Sequence, residues 1–360
     1  MKVSVIILNW NGAEMLRKYL PSVVRSLRSL QDRFAARPAS PEGLCELIVA
    51  DNGSTDESQA VVSEFQDVRW VAFDQNYGFA EGYNRIINQV DSEYVVLLNS
   101  DVEVTEHWLE PLITYLDEHP DVAAVQPKIL SWLSKEKGDQ PVLFEYAGAC
   151  GGYMDQLGYP YCRGRLLSTV EADAGQYDTN TGIFWASGAC LCVRTNIYKE
   201  LGGLDAGFFA HQEEIDLCWR MNSRGYKLAC VPSSVVYHLG GGALNYEHPR
   251  KTFLNFRNNL LMLYKNLPCS RLIPTLLIRF PMDYAAAFHF LITGKGANAW
   301  AVVKARIDFL KKIRLYRPVR QENLRLATVK QIPTICKRSL IIGYYLLGQH
   351  LFKDFHTAHE

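Results

Sequence analysis

From its first residues to Glu118 the chain alternates short apolar, β-branched runs with segments of helical spacing, and polar residues follow the ends of the runs. Val3 to Leu8 is halted by Asn9-Trp10-Asn11-Gly12, the pattern of a strand buried on both faces. Leu16, Leu20, Val23, Leu27 and Leu30 then keep one helical stripe, which Pro21 is expected to kink or split. A polar, Pro- and Ala-rich loop from Gln31 to Leu44 leads to a second strand, Glu46 to Ala50, and the turn Asp51-Asn52-Gly53. A capping box, Ser54 to Glu57, then opens a helix to Phe65. Val68 to Phe73 and Tyr94 to Leu98 are the next strands, and Ala80 to Val90 and Trp108 to Glu118 the next helices. Such alternation predicts an α/β fold with a doubly wound, mostly parallel sheet.

In such sheets ligands bind beyond the carboxyl ends of the strands, where Asn9, Asp51, Asn76 and Asp101 fall. Neither GxGxxG nor GxxxxGK[ST] occurs, which counts against a dehydrogenase or a P-loop ATPase. The run Val95 to Asp101 puts a carboxylate at the mouth of a hydrophobic strand, with the Asn99 amide oxygen two residues before it. Oxygen ligands select a hard cation, Mg2+ or Mn2+, whose open positions phosphate oxygens fill. The alternative is a turn in which Asp101 caps the next segment.

Charge divides the chain. Residues 1–249 carry 19 Lys+Arg against 33 Asp+Glu, and residues 250–360 carry 19 against 5. A basic carboxyl-terminal region suits an anionic surface. The nine cysteines include no CxxC pair, and Cys190 and Cys192 lie in an apolar run that reads as a buried strand, so a reduced compartment is expected. The opening MKVSVIILNWNG is too short an apolar stretch for a signal peptide, which points to the cytosol or a membrane facing it.

Five segments, VSVIILNWNG, VADNGSTD, NYGFAEGYN, LLNSDVEV and WASGACLCVR followed by ELGGLDAGFFAHQEEIDLCWR, resemble in this order the inverting glycosyltransferases of family 2, most of all the rhamnosyltransferase-like branch of bacterial polysaccharide assembly. The likeness covers residues 1–260 and implies a GT-A fold, with residues 1–125 binding the nucleotide-sugar and 126–260 the acceptor. It implies that Asn9 and Trp10 meet the base, Trp10 by stacking, while Asp51 or Asn52 accepts its N3–H. The turn itself is the competing reason for Asp51 and Asn52. Asn76, Gly78 and Asn84 match the donor diphosphate and sugar wall, where Gly78 permits close backbone approach. Asn99 and Asp101 occupy the Asp-x-Asp position, with Asp101 the metal ligand and Asn99 a donor contact. His238 matches a histidine that completes the metal shell, with a structural histidine as the alternative.

An acceptor hydroxyl must lose its proton as it attacks the anomeric carbon, so an inverting enzyme needs one ionised carboxylate as base. Gln212-Glu213-Glu214-Ile215-Asp216 supplies three, and the family pattern Glu-Asp-x-Asp puts the base at Glu214, with Glu213 an acceptor or donor contact. These acids are expected to begin a helix running to Arg224, with Asp216 the i,i+4 partner of Arg220. Between Lys128 and Phe184 glycines alternate with Tyr153, Tyr159 and Tyr161, a loop composition suited to sugar binding, and Trp185 is the expected acceptor-site aromatic or else core.

Residues 261–360 read as a basic amphipathic helical extension. The stretch 272–293 is long enough to span a bilayer, but Arg279 and Asp283 near its centre would cost about 2.5–3.5 kcal/mol each, so an interfacial or re-entrant helix is expected, with a helical subdomain or oligomer interface as the alternative. Lys311, Lys312, Arg314, Arg317, Arg320 and Arg325 form a basic stripe beside it, and Ser339 to Phe352 is a second apolar segment. The expected partners are a nucleotide-sugar, a glycan or lipid-linked glycan acceptor and an anionic membrane surface, with no nucleic acid. The expected site of action is the cytoplasmic face of the inner membrane. The whole reads as a metal-dependent, non-processive inverting glycosyltransferase. A catalytically silent membrane scaffold and a sugar nucleotidyltransferase are the alternatives; the latter needs a Gly-rich basic triphosphate loop near the amino terminus, and none is visible.

Overall fold

The structure is a computed structural model that describes residues 2–35, 43–240, 248–329 and 331–356. The first half runs β1 (Val3–Asn9), α1 (Ala13–Ala35), β2 (Cys45–Asp51), α2 (Ser58–Ser63), β3 (Val68–Ala72), α3 (Gly78–Ile87), β4 (Tyr94–Leu98), β5 (Val102–Val104), α4 (Leu109–Glu118), β6 (Val122–Ser131) and α5 (Trp132–Lys137). Four short strands follow, β7 (Gly152–Asp155), β8 (Pro160–Cys162), β9 (Arg165–Leu166) and β10 (Thr169–Val170). The core then closes with β11 (Thr181–Gly182), β12 (Cys190–Arg194), α6 (Thr195–Glu200), α7 (Glu213–Ser223) and β13 (Lys227–His238). The carboxyl-terminal region comprises α8 (Pro249–Asn266), α9 (Cys269–Ile292), α10 (Gly296–Leu326), β14 (Ile335–Cys336), α11 (Leu340–Leu346) and α12 (Phe352–His356).

A nine-stranded sheet has the order β11-β13-β6-β12-β4-β1-β2-β3, with β5 on the flank of β13. Pairing puts β3, β2, β1, β4, β6 and β13 in one direction; β5, β11 and β12 oppose them. The sheet is therefore mostly parallel, as the alternation predicts. The two-faced burial of β1 follows from its side chains: Val3, Val5 and Ile7 meet Leu16, Leu20 and Leu112 on one face, and Ile6 meets Ala80, Tyr83 and Ile86 on the other. Each such side chain contributes about 1.5–3 kcal/mol on burial, which commits the register of the centre of the sheet.

Several local expectations are corrected. Pro21 does not split α1, because Leu16, Leu20, Val23, Val24 and Leu27 continue one buried stripe across it. The capping box does not form: α2 begins at Ser58, whose amide and hydroxyl are bound by Asp56, while Ser54 turns back to Asp51. The loop expected from Gln31 begins later, since α1 reaches Ala35, and residues 36–42 of it lie outside the described residues, as do Gly241 and Gly242. The segment 128–184 is not a set of sugar-binding loops. It contributes β7 to β10 of a second sheet, ordered β10-β9-β8-β7-β14, whose last strand comes from the carboxyl-terminal region. Tyr153 and Tyr161 are buried there, stacked at 5.8 Å and covered by Phe352 and Phe355. The carboxyl-terminal residues thus share this core, and α8 carries the chain across residue 260 without a break.

Candidate active site

The parallel strands bring Asn9 and Asp51 side by side, in register at the carboxyl ends of β1 and β2. Asn9 Nδ2 donates to Asp51 Oδ1 at 3.0 Å and to Ser54 Oγ at 3.2 Å. Asp51 also accepts from the Ser54 amide at 2.9 Å and the Ser54 hydroxyl at 2.5 Å, so its Oδ2 keeps one lone pair for a ligand. Asn9 Oδ1 is buried without a partner. Trp10 stands beside this pair with 54% of its surface exposed, an open indole face at the mouth of the sheet.

Asn52, Asn76, Gly78 and Asn84 gather near one another, bound chiefly to protein. Asn52 Nδ2 donates to Asn76 Oδ1 (3.1 Å) and Gly78 O (3.0 Å), and its Oδ1 accepts from Tyr77 N (2.9 Å). Asn52 Oδ1 therefore keeps one lone pair, as Asp51 Oδ2 does, so hydrogen bonding alone selects neither as the acceptor of the turn. Gly78 has φ +81°, and a Cβ there would fall 2.6 Å from the Phe209 ring, so the close approach it permits is to Phe209. Asn84 Nδ2 donates to Leu204 O (2.8 Å), while its Oδ1 accepts from Leu204 N (2.9 Å) and Tyr198 OH (2.7 Å). These amides tie the donor side of the sheet to the segment that leads into α7.

Trp185 is not presented to an acceptor. It is 3% exposed, its indole N–H donates to Tyr153 O at 2.9 Å, and Gly152 lies against its ring.

At the end of β4, Asp101 meets His238 from the end of β13, because β5 and β13 pair with Val102 opposite His238. His238 Nε2 lies 3.1 Å from Asp101 Oδ1 and 3.4 Å from Asn99 Nδ2. Its Nδ1 faces Glu145 Oε2 at 3.4 Å, long for a hydrogen bond but close enough for the charges to act. Burial opposes charge on His238, yet Asp101 and Glu145 outweigh it and push the imidazole up to about 10. Burial likewise works against an ionised Asp101, and His238 nonetheless holds that carboxyl below its ordinary value. Among the described residues no three His, Cys, Asp or Glu side chains are grouped so as to hold a metal ion. An imidazole so raised carries a proton, which a divalent cation binding Asp101 and His238 Nε2 would have to displace; the deprotonated set of one carboxylate and one imidazole, with Glu145 behind the ring as in many metal-binding histidines, would leave further positions open for phosphate.

The third component is α7. Asp205 to Gln212 approaches it through a 3-10 turn (Ala206–Phe208) and three non-glycine residues with positive φ, Phe209, His211 and Gln212. A side chain in that region costs free energy and needs outside support. Asn258 supplies it, donating to the carbonyls of Phe208, Ala210 and His211 at 3.1, 2.9 and 2.7 Å. Arg257 binds Phe208 O at 3.0 Å, and Asn259 reaches Gln212 Oε1 at 3.2 Å. The strained loop ends in Glu213 and Glu214 at the start of the helix.

Burial raises the Glu214 carboxyl to about 7, even though amides at the helix start and that of Gly188 bind it. Burial, with Glu214 next to it, pushes Glu213 well above the carboxylate range. The Oε2 atoms of both lack hydrogen-bond partners. Ala189 O accepts from Asn99 N at 3.0 Å, so Glu214, held by Gly188, and Asp101 share one end of the sheet. Asp216 is turned away: it binds Arg220 Nε at 3.0 Å, as the i,i+4 spacing predicts, and Lys265 and Asn266 at 2.7 and 2.8 Å.

Sequence reasoning missed Glu145 and the Arg257-Asn258-Asn259 triplet. The triplet left one signal, three consecutive polar residues directly ahead of the apolar run Leu260 to Leu263, and the structure buries all three.

Residues 4–149 match the family model described as Glycosyl transferase family 2. Over 230 residues, 61% of this chain and 72% of the relative, the sequence is 26% identical to the N-acetylglucosaminyl-diphospho-decaprenol L-rhamnosyltransferase of Mycobacterium tuberculosis. Over 208 residues, 55% of this chain and 72% of the relative, it is 24% identical to the rhamnosyltransferase WbbL of Escherichia coli. The crystal structure of S. aureus TarS 1-349 in complex with UDP-GlcNAc is similar with a TM-score of 0.53 and 14% identity, covering 91% of this chain and 88% of that one. The shared fold is the GT-A-like α/β arrangement with a helical carboxyl-terminal region.

Proposed function

We propose, from the match of residues 4–149 to the Glycosyl transferase family 2 model, that the chain is a non-processive, inverting glycosyltransferase moving one sugar from a nucleotide-sugar to a glycan or lipid-linked glycan acceptor in polysaccharide assembly. The observation that carries the reading is the Glu214 carboxyl, raised to about 7 by burial and with an unpartnered oxygen, at the same end of the sheet as Asp101 and His238. Glu214 keeps one oxygen free and a value near neutral pH, as a base needs, whereas Asp216, which builds structure, is fully paired.

In this reading Trp10 stacks on the base and Asp51 or Asn52 takes its N–H. Asp101 and His238 would hold Mg2+ or Mn2+, which supplies Lewis-acid neutralisation of the departing diphosphate. Asn99 stands beside that pair as a donor contact, and Glu213 beside the base as an acceptor contact. Glu214 takes the proton of the acceptor hydroxyl as its oxygen bonds to the anomeric carbon; the bond from that carbon to the phosphate oxygen breaks, and the nucleoside diphosphate leaves. The names of the relatives support a lipid-diphosphate acceptor, which would place the reaction at a membrane surface.

Thermal shift with a panel of nucleotide-sugars and Mn2+ tests the donor side. A matching donor at a hundred times its Kd stabilises by about 2.7 kcal/mol. Asp101→Asn is expected to abolish that shift while keeping the ligand-free Tm within a few degrees. An equal shift in both proteins, or in excess EDTA, would remove Asp101 from the donor site.

A further inference from the structure

Helix α9 carries its charges inward and its apolar side chains outward. From Leu272 to Ile292 only Arg279 and Asp283 are formally charged, and each is 2% exposed. They pair at 3.1 Å, Arg306 from α10 reaches Asp283 at 2.8 Å, and Arg279 also binds Leu157 O and Asn259 Oδ1. The opposite side presents Ile273, Leu277, Phe280, Phe288 and Leu291, each more than half exposed. Their spacing of i, i+4, i+7, i+15 and i+18 is a single helical stripe. Across the turn at Gly294, one face of α10 interleaves exposed Trp300, Ile307 and Leu310 with Lys304, Lys311 and Arg314. Ala287, Phe288, Leu291, Gly296, Trp300 and Val303 line an apolar groove between the two helices.

A contiguous apolar surface of this kind marks a contact. We propose that the α9–α10 face docks on an anionic phospholipid surface and lies in the interface. Among the described residues no helix is long and apolar enough to cross a membrane, and the Arg279–Asp283 pair is bound into the protein rather than free to move. The charge pattern selects the occupant. Asp308, the only acid between Gly296 and Arg320, turns inward toward Arg257 at 3.6 Å, so the exposed ionic groups of this face are basic. A second copy of the same face would set Lys against Lys, whereas lipid phosphates complement them while the apolar stripe enters the acyl boundary. The placement suits the reaction: Arg279 binds Asn259, which binds Gln212, so two side-chain hydrogen bonds join the docking helix to the residue two places before the proposed base. Docking does not depend on the sugar-transfer reading, and its test uses no nucleotide.

The test is flotation of the full chain with vesicles of phosphatidylcholine alone or mixed with phosphatidylglycerol. The parent is expected to float with the mixed vesicles and less with the neutral ones. Replacing Lys304, Lys311 and Arg314 with Glu should lower partitioning to mixed vesicles by more than about 100-fold, at about tenfold or less per basic residue removed. Replacing Leu277, Phe288 and Leu291 with Glu should abolish partitioning to both. All six side chains are exposed, so Tm should stay near the parent's and certify folding. Equal flotation of variants and parent overturns the proposal. So does a parent that stays unbound with both vesicle types, including one that forms a dimer which the same substitutions disperse.

Discussion

Glu214→Gln is expected to lower sugar transfer by about 10²–10⁴-fold while donor binding persists, because the amide keeps the shape of the carboxylate and cannot take a proton. In the parent, kcat/KM should rise with pH and level off above about 7, the value to which burial lifts Glu214. In the variant that rise disappears. Stability gives an independent reading. The folded-state value of about 7 lies above the ordinary 4.5, so the native protein binds a proton that the unfolded chain releases between these limits. The parent therefore loses stability as pH rises from 4.5 to 7, and Glu214→Gln escapes that loss. The variant should be the more stable protein at pH 8 and lose this advantage toward pH 4.5. A variant equal to the parent in transfer rate, or less stable than it at pH 8, would take the base role away from Glu214.

Lys265→Met is expected to destabilise the fold by about 3–5 kcal/mol, the cost of leaving buried charge without its partner. Lys265 joins four elements. Its Nζ lies 2.5 Å from Asp205 and 2.7 Å from Asp216, Arg220 binds Asp216 from within α7, and Tyr316 of α10 binds Asp205 at 3.1 Å. Burial pulls the Asp216 carboxyl upward, and Lys265 and Arg220 hold it below its ordinary 3.8 regardless. The contribution is thus present above pH 3.8 and is lost as acid titrates the group below it. Urea unfolding at neutral pH measures the effect, and pairing the change with Asp216→Asn should cost less than the sum of the two singles. A loss below about 1 kcal/mol would mean that water reaches the cluster. The same bonds explain why cutting the chain near Lys265 is a poor probe of the basic region: α10 covers α8, and Phe309 and Tyr316 are buried in that contact.

The sheet was legible because its signals are local. An apolar run such as Val3 to Leu8 can be satisfied only by cover on both faces, and Tyr94 to Leu98 matches its observed strand at both ends. The strand-end site was legible for the same reason, since parallel order alone sets Asn9 beside Asp51. What each polar group binds was not. Asn52 and Asn84 have the composition of ligand contacts, but their partners, Tyr77 and Leu204, depend on how two distant loops meet. Tyr161 in its glycine-rich stretch and Trp185 ahead of Ser187-Gly188 read as open aromatics, yet the second sheet that packs against them is completed by residues 335 and 336, far along the chain. Asn258 supports a loop 47 to 50 positions earlier, and Glu145 reaches His238 across 93 residues; no spacing rule reports either. Helix α9 lies between these cases. Its charged pair looked costly as a span, and the structure shows that pair turned inward on its own helix.

Proton NMR of the anomeric signal, followed from an accepted nucleotide-sugar to the first transfer product, addresses the proposed reaction most directly. With Glu214 as the single base and displacement in line, the product carries the anomeric configuration opposite to that of the donor, and one nucleoside diphosphate appears for each sugar transferred. Retention of the donor configuration, or transfer without release of nucleoside diphosphate, would contradict it.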